Sequence, residues 1–300
     1  MLDQMAIARK RRRVRTLRMA SKVLFQIMVT LLALLFILPL FWLSSSSLAT
    51  NEELMRWPRS LLPEKLIWNN YPRIWARYPF TQWFKNTTFL ALNAAIGSVV
   101  SNAFIAYGFS RIDWRGRDVL FLACLAAMML PGAVTQIPVY IVWRKLGFLG
   151  TWLPLTLGVW LGSPYFTFLL VQFFRTIPEE LSAAARVDGC SELGIFFRIM
   201  LPLCKPALAV IAFFSFTGAW NAVMGPLIYI KKRAMYTLAL GVYLLKQQSS
   251  GGASSPTGSE RTDWAGMMAA SAIMAIPVMV LFYFTQNMFI EGITFTGMKG

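Results

Sequence analysis

Six long stretches of this chain hold no Asp, Glu, Lys or Arg, and they leave it little choice of fold. A bilayer core about 30 Å thick takes about 20 apolar residues of helix, at about 1.5 Å each. The first stretch is Val23–Leu43. Roughly Thr87–Tyr107, Val119–Val142, Trp152–Phe174, Pro206–Ile230 and Ala265–Ile290 follow, with the charges gathered at their ends. Composition agrees, since 57% of the 300 residues are hydrophobic and 14% charged. A soluble domain runs at about 45–50% and about 25%. A soluble globular chain and a disordered one are both excluded. The expectation is an all-α polytopic membrane protein with six transmembrane helices.

Absences narrow the chemistry. There is no histidine, which removes His-based catalytic triads and HExxH metal sites. The three cysteines, Cys124, Cys190 and Cys204, lack CxxC spacing and suggest neither a disulfide framework nor a zinc site. No GxxxxGK[ST] phosphate loop is present, so the chain has no such site for ATP. With no ionisable group in the six cores, a proton or ion relay lacks titratable steps, which opposes an ion-coupled secondary transporter.

The net charge of +16 reads as a topology signal. Arg9, Lys10, Arg11, Arg12, Arg13, Arg15, Arg18 and Lys22 precede the first span and predict a cytoplasmic N-terminus. Alternation then places Arg111, Arg115 and Arg117 inside, then Arg175, Arg186, Arg198 and Lys205, and finally Lys299 with the C-terminus. The Arg run beside a membrane span suits anionic lipid better than nucleic acid. The first apolar run exceeds the about 7–15 residues of a signal-peptide core, so no cleavage is expected. The division that follows is a basic cytoplasmic tail (1–22), a first span (23–43), an external loop (44–84) rich in Trp and Tyr, and a core (85–300) holding five more spans. That core carries a cytoplasmic loop (176–202) and a second external loop (231–263). The centre of the latter, a Gly/Ser-rich insert at 249–259, is flexible by composition.

The cytoplasmic loop reads as a short helix. Thr176 followed by Glu179 matches a capping box, Pro178 fits the first turn, and Glu179 and Glu180 face the positive end of the helix dipole. Ala183, Ala184 and Ala185 are strong helix formers and Gly189 a natural stop. A second helical stretch, Ser191–Met200, is expected to end at Pro202. Composition alone leaves two readings open: a hairpin that links spans, or a docking element whose small side chains let another protein approach.

For a neutral polyhydroxylated solute, the uncharged cores offer Gln136, Ser163, Tyr165, Gln172, Trp220 and Asn221 as hydrogen-bonding or stacking groups. Asn221 is favoured, because a buried amide in a span must find a partner; interhelical glue is the alternative. Trp220 serves equally as packing or as a stacking platform. Gly162-Ser163-Pro164 is expected to kink the fourth span.

Gly189, nine residues, then Ile199, Met200, Leu201 and Pro202 resemble the G-x9-I-x-L-P part of the EAA loop of ABC-importer permeases. Ile177-Pro178-Glu179-Glu180-Leu181 and Ala184-Ala185-Arg186-Val187-Asp188-Gly189 are similar to the carbohydrate-uptake, maltose-type branch. So are Tyr107-Gly108-Phe109-Ser110-Arg111, Ile137-Pro138-Val139-Tyr140, Trp220-Asn221, Asp263-Trp264-Ala265, Ile276-Pro277 and the closing Gly297-Met298-Lys299-Gly300. One position departs: the family's loop has Glu six residues before the glycine, and here it is Ala183.

The resemblance implies a type I ABC importer transmembrane domain with a cytoplasmic EAA coupling helix, in a multi-pass protein of the bacterial inner membrane. It implies a second related permease subunit, two cytosolic ATPase subunits that bind ATP and Mg, and an external solute-binding protein delivering a carbohydrate. It implies no catalytic residue, cofactor or metal in this chain. It implies an ATPase contact through Glu179, Glu180, Ala183, Ala184, Ala185, Asp188, Gly189, Ile199, Leu201 and Pro202. Glu179, Glu180 or Asp188 would stand in for the missing Glu, and the 249–259 insert would probe the binding protein's cleft.

Overall fold

The computed structural model describes residues 2–58, 60–250 and 263–297, with side chains over 18–58, 60–247 and 263–289. Every regular element among them is helical: α1 (Leu2–Ser47), α2 (Asn51–Met55), α3 (Asn70–Arg77), α4 (Phe80–Arg111), α5 (Arg117–Met128), α6 (Gly132–Lys145), α7 (Leu153–Leu157), α8 (Pro164–Thr176), α9 (Glu179–Val187), α10 (Glu192–Ile195), α11 (Leu201–Leu203), α12 (Lys205–Trp220), α13 (Met224–Tyr229), α14 (Leu238–Ser250) and α15 (Trp264–Gly297). Short 3₁₀ turns lie at Gly158–Leu161 and Arg233–Met235. Much of the insert at 249–259, and Met298-Lys299-Gly300, lie outside the described residues.

Four segments are long and apolar enough to cross a bilayer: Arg18–Ser47, Phe80–Arg111, Leu153–Thr176 and Trp264–Phe289. Two bent pairs bring the total to six if each is one span: Arg117–Met128 with Gly132–Lys145, bent by 108°, and Glu192–Leu203 with Lys205–Trp220, bent by 78°.

The structure corrects several expectations. The third stretch is not one helix over Val119–Val142. Pro131 has no N–H to continue α5 and disfavours helical backbone at Leu130, so the chain turns there and restarts at Gly132. The fifth stretch is straight only to Trp220, and Asn221–Val223 separates it from α13. The predicted loop 231–263 is largely helical at its start. Leu238, Ala239 and Leu240 of α14 are buried, and the Leu238 N–H donates to Thr87 Oγ1 of α4 at 2.7 Å. Asn86 of α4 donates to the carbonyls of Ala234 and Tyr236.

The chain forms two compact units, residues 1–72 with 263–272, and residues 73–262 with 273–300. In the first, the predicted external segment is ordered by polar contacts. Thr50 and Glu53 form a reciprocal capping box on α2. The buried Asn70 amide donates to the carbonyls of Ser47 and Ala49, at 2.9 Å each. Asn51 Oδ1 accepts the Ala265 N–H at 2.8 Å. In the second, α4 is the central post, packed against α8, α12 and α14. Its core gathers Ala103, Ala106, Leu170, Phe174, Phe196 and Ile211 around one end of α4. Each large apolar side chain buried there is worth about 1.5–3 kcal/mol.

The fourth stretch breaks where expected. Gly162 has φ +85°, a region that glycine enters without steric cost, and α8 restarts at Pro164. The break is held from α4. Asn102, wholly buried, accepts the Ser163 N–H at 2.8 Å and the Thr167 hydroxyl at 2.9 Å. The backbone N–H freed by the break and the Thr167 hydroxyl thus share one acceptor, as buried groups must find one.

Candidate coupling loop and transport path

The helix predicted from Glu179 is α9. Its start differs from expectation. Thr176 is the last residue of α8 and donates its hydroxyl back to the Phe173 carbonyl at 2.7 Å, so it caps nothing ahead. Pro178 occupies the N-cap position without a side-chain hydrogen bond. Pro fits a position whose N–H has no helical acceptor. The far end is a Schellman turn. The Cys190 N–H reaches the Ala185 carbonyl at 2.9 Å and the Gly189 N–H reaches Arg186 at 3.0 Å, with Gly189 at φ +78°.

One face of α9 turns inward through Ser182, 1% exposed, with Ala185 half-buried. Glu179, Glu180, Ala183, Ala184, Asp188 and Gly189 are exposed, as are Leu181 and Val187, the last at 88%. An outward surface of small and apolar residues, edged by carboxylates, results. The second helical stretch does not end at Pro202. After α10, whose first turn is capped by Ser191 Oγ, the backbone widens into a π turn over Phe196–Met200 and runs into α11. A π turn before a proline relieves the clash of its ring with the preceding turn. Ile199 and Leu201 are half-buried and Pro202 exposed.

Both ends of α9 are fastened to the last turn of α4. Before α9, Arg111 donates to the carbonyls of Phe174 and Ile177. A cation at those carbonyls also complements the α8 dipole. After α9, Tyr107 donates its hydroxyl to Glu192 Oε2 at 2.6 Å, and Arg186 donates Nε to Glu192 Oε1 at 2.7 Å. The Arg186 guanidinium first, and the Tyr107 hydroxyl second, hold the Glu192 carboxyl below the usual carboxylate range. None of Tyr107, Arg111 and Glu192 was singled out as a functional residue from sequence. An Arg closing a span, and a Glu in the first turn after Ser191, were the available signals.

The path candidates are not gathered at one point. Ser163 lines a cavity of about 450 Å³ between α4, the Gly162 break, α12 and α13, together with Ser98, Phe166, Phe214 and Ser215. Gln136 is half-buried on α6, and Tyr165 and Gln172 are exposed on α8. Trp220 is 1% exposed, with its indole N–H on the Met274 carbonyl at 3.0 Å, so of its two readings the structure favours packing. Asn221 is not a buried amide as expected. It is exposed where α12 ends and donates to the Thr217 carbonyl of its own helix at 3.0 Å, because the helix stops one residue before it.

Residues 101–295 match the family model described as "Binding-protein-dependent transport system inner membrane component". The arabinooligosaccharides transport system permease protein AraQ of Bacillus subtilis is 31% identical over 273 residues, covering 90% of this chain and 93% of that protein. Among solved structures, a chain of a bacterial ABC transporter involved in the import of the acidic polysaccharide alginate superposes with a TM-score of 0.75 at 22% identity, covering 89% of this chain and 95% of the other. A second alginate ABC transporter structure, in complex with alginate pentasaccharide-bound periplasmic protein, matches with a TM-score of 0.61 at 13% identity over 88% of this chain and 93% of that one. The family match covers the broken fourth span, the α9 loop and most of α15. The chain belongs to the binding-protein-dependent transport system inner membrane components, and is a non-catalytic, multi-pass permease subunit of a bacterial ABC importer.

Proposed function

We propose that this permease carries a sugar or oligosaccharide across the bacterial inner membrane, together with a second related permease subunit, and that α9 is its contact with the ATPase. The observation that carries the reading is the presentation of α9: a short helix with an Ala-rich outer face, closed by a glycine turn and tied at both ends to a long span. Two cytosolic ATPase subunits bind ATP and Mg, and one of them seats α9 in a groove. Glu179, Glu180 and Asp188 supply the acidic contacts that Ala183 cannot, while Ala184, Ala185 and Gly189 allow close approach. Ile199, Leu201 and Pro202 anchor the loop behind it.

Both termini lie in the cytoplasm, with residues 1–22 as a basic tail against anionic lipid and 23–43 as the first span. The core is 85–300, with its coupling loop at 176–202. An external solute-binding protein docks on the 44–84 and 231–263 segments, and the insert at 249–259 reaches its cleft. The solute passes Gln136, Ser163, Tyr165, Gln172 and Asn221, whose neutral polar groups suit hydroxyl-rich cargo. A carbohydrate cargo is supported by the names of similar proteins, which specify arabinooligosaccharides and alginate.

The test is co-purification of the chain with the ATPase encoded beside it, followed by reconstitution with its binding protein. ATP-dependent accumulation of a radiolabelled arabinooligosaccharide, or of another sugar the binding protein retains, is the expected result. Failure of the ATPase to co-purify, or uptake that follows an ion gradient with ATP absent, would overturn it.

A further inference from the structure

α9 meets the rest of the chain at both of its ends, and the second of these meetings has an unusual construction. Glu192 lies just beyond the Gly189 turn, in the first turn of α10. Its two carboxylate oxygens are divided between two elements: Oε1 takes Arg186 of α9 and Oε2 takes Tyr107 of α4. The Tyr107 ring is itself 5% exposed and wedged against Phe174 and Phe196, with ring centres 6.3 and 5.1 Å away. The carboxylate therefore bridges an exposed helix to the end of the central post that packs on Phe174 and Phe196.

A half-exposed ion pair contributes little to stability, about 0–1 kcal/mol. What a two-sided carboxylate supplies is fixed geometry, since each partner constrains the rotamer that the other needs. One turn away on α4, Arg111 grips the carbonyls before α9. That grip uses backbone acceptors and is indifferent to side-chain identity in the loop. The Glu192 bridge is the side-chain link, and it is the one that reports where the C-terminal half of α9 stands.

We infer that Glu192 is a positioning residue for transport, carrying displacement of α9 to α4 through its simultaneous hold on Arg186 and Tyr107, and that it makes no contact with the ATPase itself. The inference rests on the proposed role of α9 as the ATPase contact.

The test uses the whole importer in proteoliposomes: this chain, its partner permease, the ATPase subunits, and the binding protein isolated with its natural cargo. One readout is the ratio of binding-protein-stimulated to basal ATP hydrolysis. The other is the nucleotide-dependent spectrum of a spin label at Leu92→Cys, an exposed position on α4. For Glu192→Gln and for Tyr107→Phe, the ATPase subunits co-purify at wild-type levels. Stimulation falls about fivefold or more, the lower range of measured coupling energies, and the α4 label stops responding to ATP. Arg186→Glu combined with Glu192→Arg restores the response that Glu192→Arg alone abolishes, which simple structural damage would not allow. Wild-type stimulation and label response in Glu192→Ala would overturn the inference. So would loss of ATPase co-purification in Glu192→Gln with none in Tyr107→Phe, because Glu192 would then be a docking contact. If the wild-type chain recruits no ATPase at all, it is the reading of α9 that fails, and the two failures are distinct.

Discussion

Asn102 on α4 accepts the backbone N–H of Ser163 at 2.8 Å, across 61 residues of sequence and at the point where the fourth span is interrupted. The same oxygen accepts the Thr167 hydroxyl, so one amide finishes the free start of α8. Replacing it by Leu leaves both donors buried without an acceptor, at about 1–3 kcal/mol for each. The expected result for Asn102→Leu is a clearly lower unfolding temperature of the detergent-purified protein. An unchanged temperature would mean that the break finds another acceptor.

Gly162 sets the shape of the same break. Its φ of +85° disfavours any side chain, and a Cβ placed there would lie 2.5 Å from Ile105 Cδ1. Gly162→Ala should cost about 1–3 kcal/mol for the backbone, with a smaller addition for the overlap, because Cδ1 is the free end of a side chain that can turn away. Ile105→Val removes the clashing carbon, so the double variant should regain the steric part and keep the backbone part. Thermal unfolding of the three variants separates the two contributions.

On α9, Glu179 and Glu180 are exposed, and the proposed function has them meet basic groups of the ATPase. Substituting both by Ala should leave the permease pair assembled while ATP hydrolysis proceeds without uptake. A drop of about fivefold or more in solute moved per ATP is expected. Wild-type stoichiometry in reconstituted vesicles would return the acidic role to Asp188.

Asn221 offers its amide at the exposed end of α12. If solute passes it, Asn221→Leu removes a hydrogen bond worth about 0.5–1.5 kcal/mol and slows uptake up to roughly tenfold. The assembled complex should be recovered in normal amounts. Full uptake would exclude it from the path.

Acid should loosen the rear attachment of α9. The Glu192 carboxyl titrates below its ordinary range, because Arg186 and then Tyr107 bond to its charged form. A depressed carboxyl contributes stability above its unfolded pKa and loses it as pH falls through the folded one. Amide exchange across Arg186–Glu192, corrected for intrinsic pH dependence, should therefore speed up only below about the unfolded carboxyl pKa, about 4.3. Unchanged protection there would show that the Arg186 bond does not hold the turn.

What the sequence made legible was whatever depends on neighbours along the chain. Apolar runs marked the spans, Gly162-Ser163-Pro164 marked the break, and the Ala run with Gly189 marked the body and the end of α9 but not its start. What it hid depends on residues far apart. The pairing of Thr176 with Glu179 looked like a cap, yet the hydroxyl already had an acceptor within α8. Asn102 and Asn221 are both amides inside uncharged stretches, and only the fold reveals which of the two is buried. Tyr107 and Glu192 lie 85 residues apart and carry no local mark of their bond. Leu238–Ser250 read as loop because its support comes from Thr87, on another helix.

A short rod fastened at both ends hands a push on its outer side to whatever holds those ends. Since the fastenings of α9 lie behind it, on Tyr107 and Arg111, the side facing outward is at liberty to drift in sequence. On the proposed reading of α9, a change of engine would be met on that outer side alone, where Ala183 lies exposed, with the fastenings behind it left as they are.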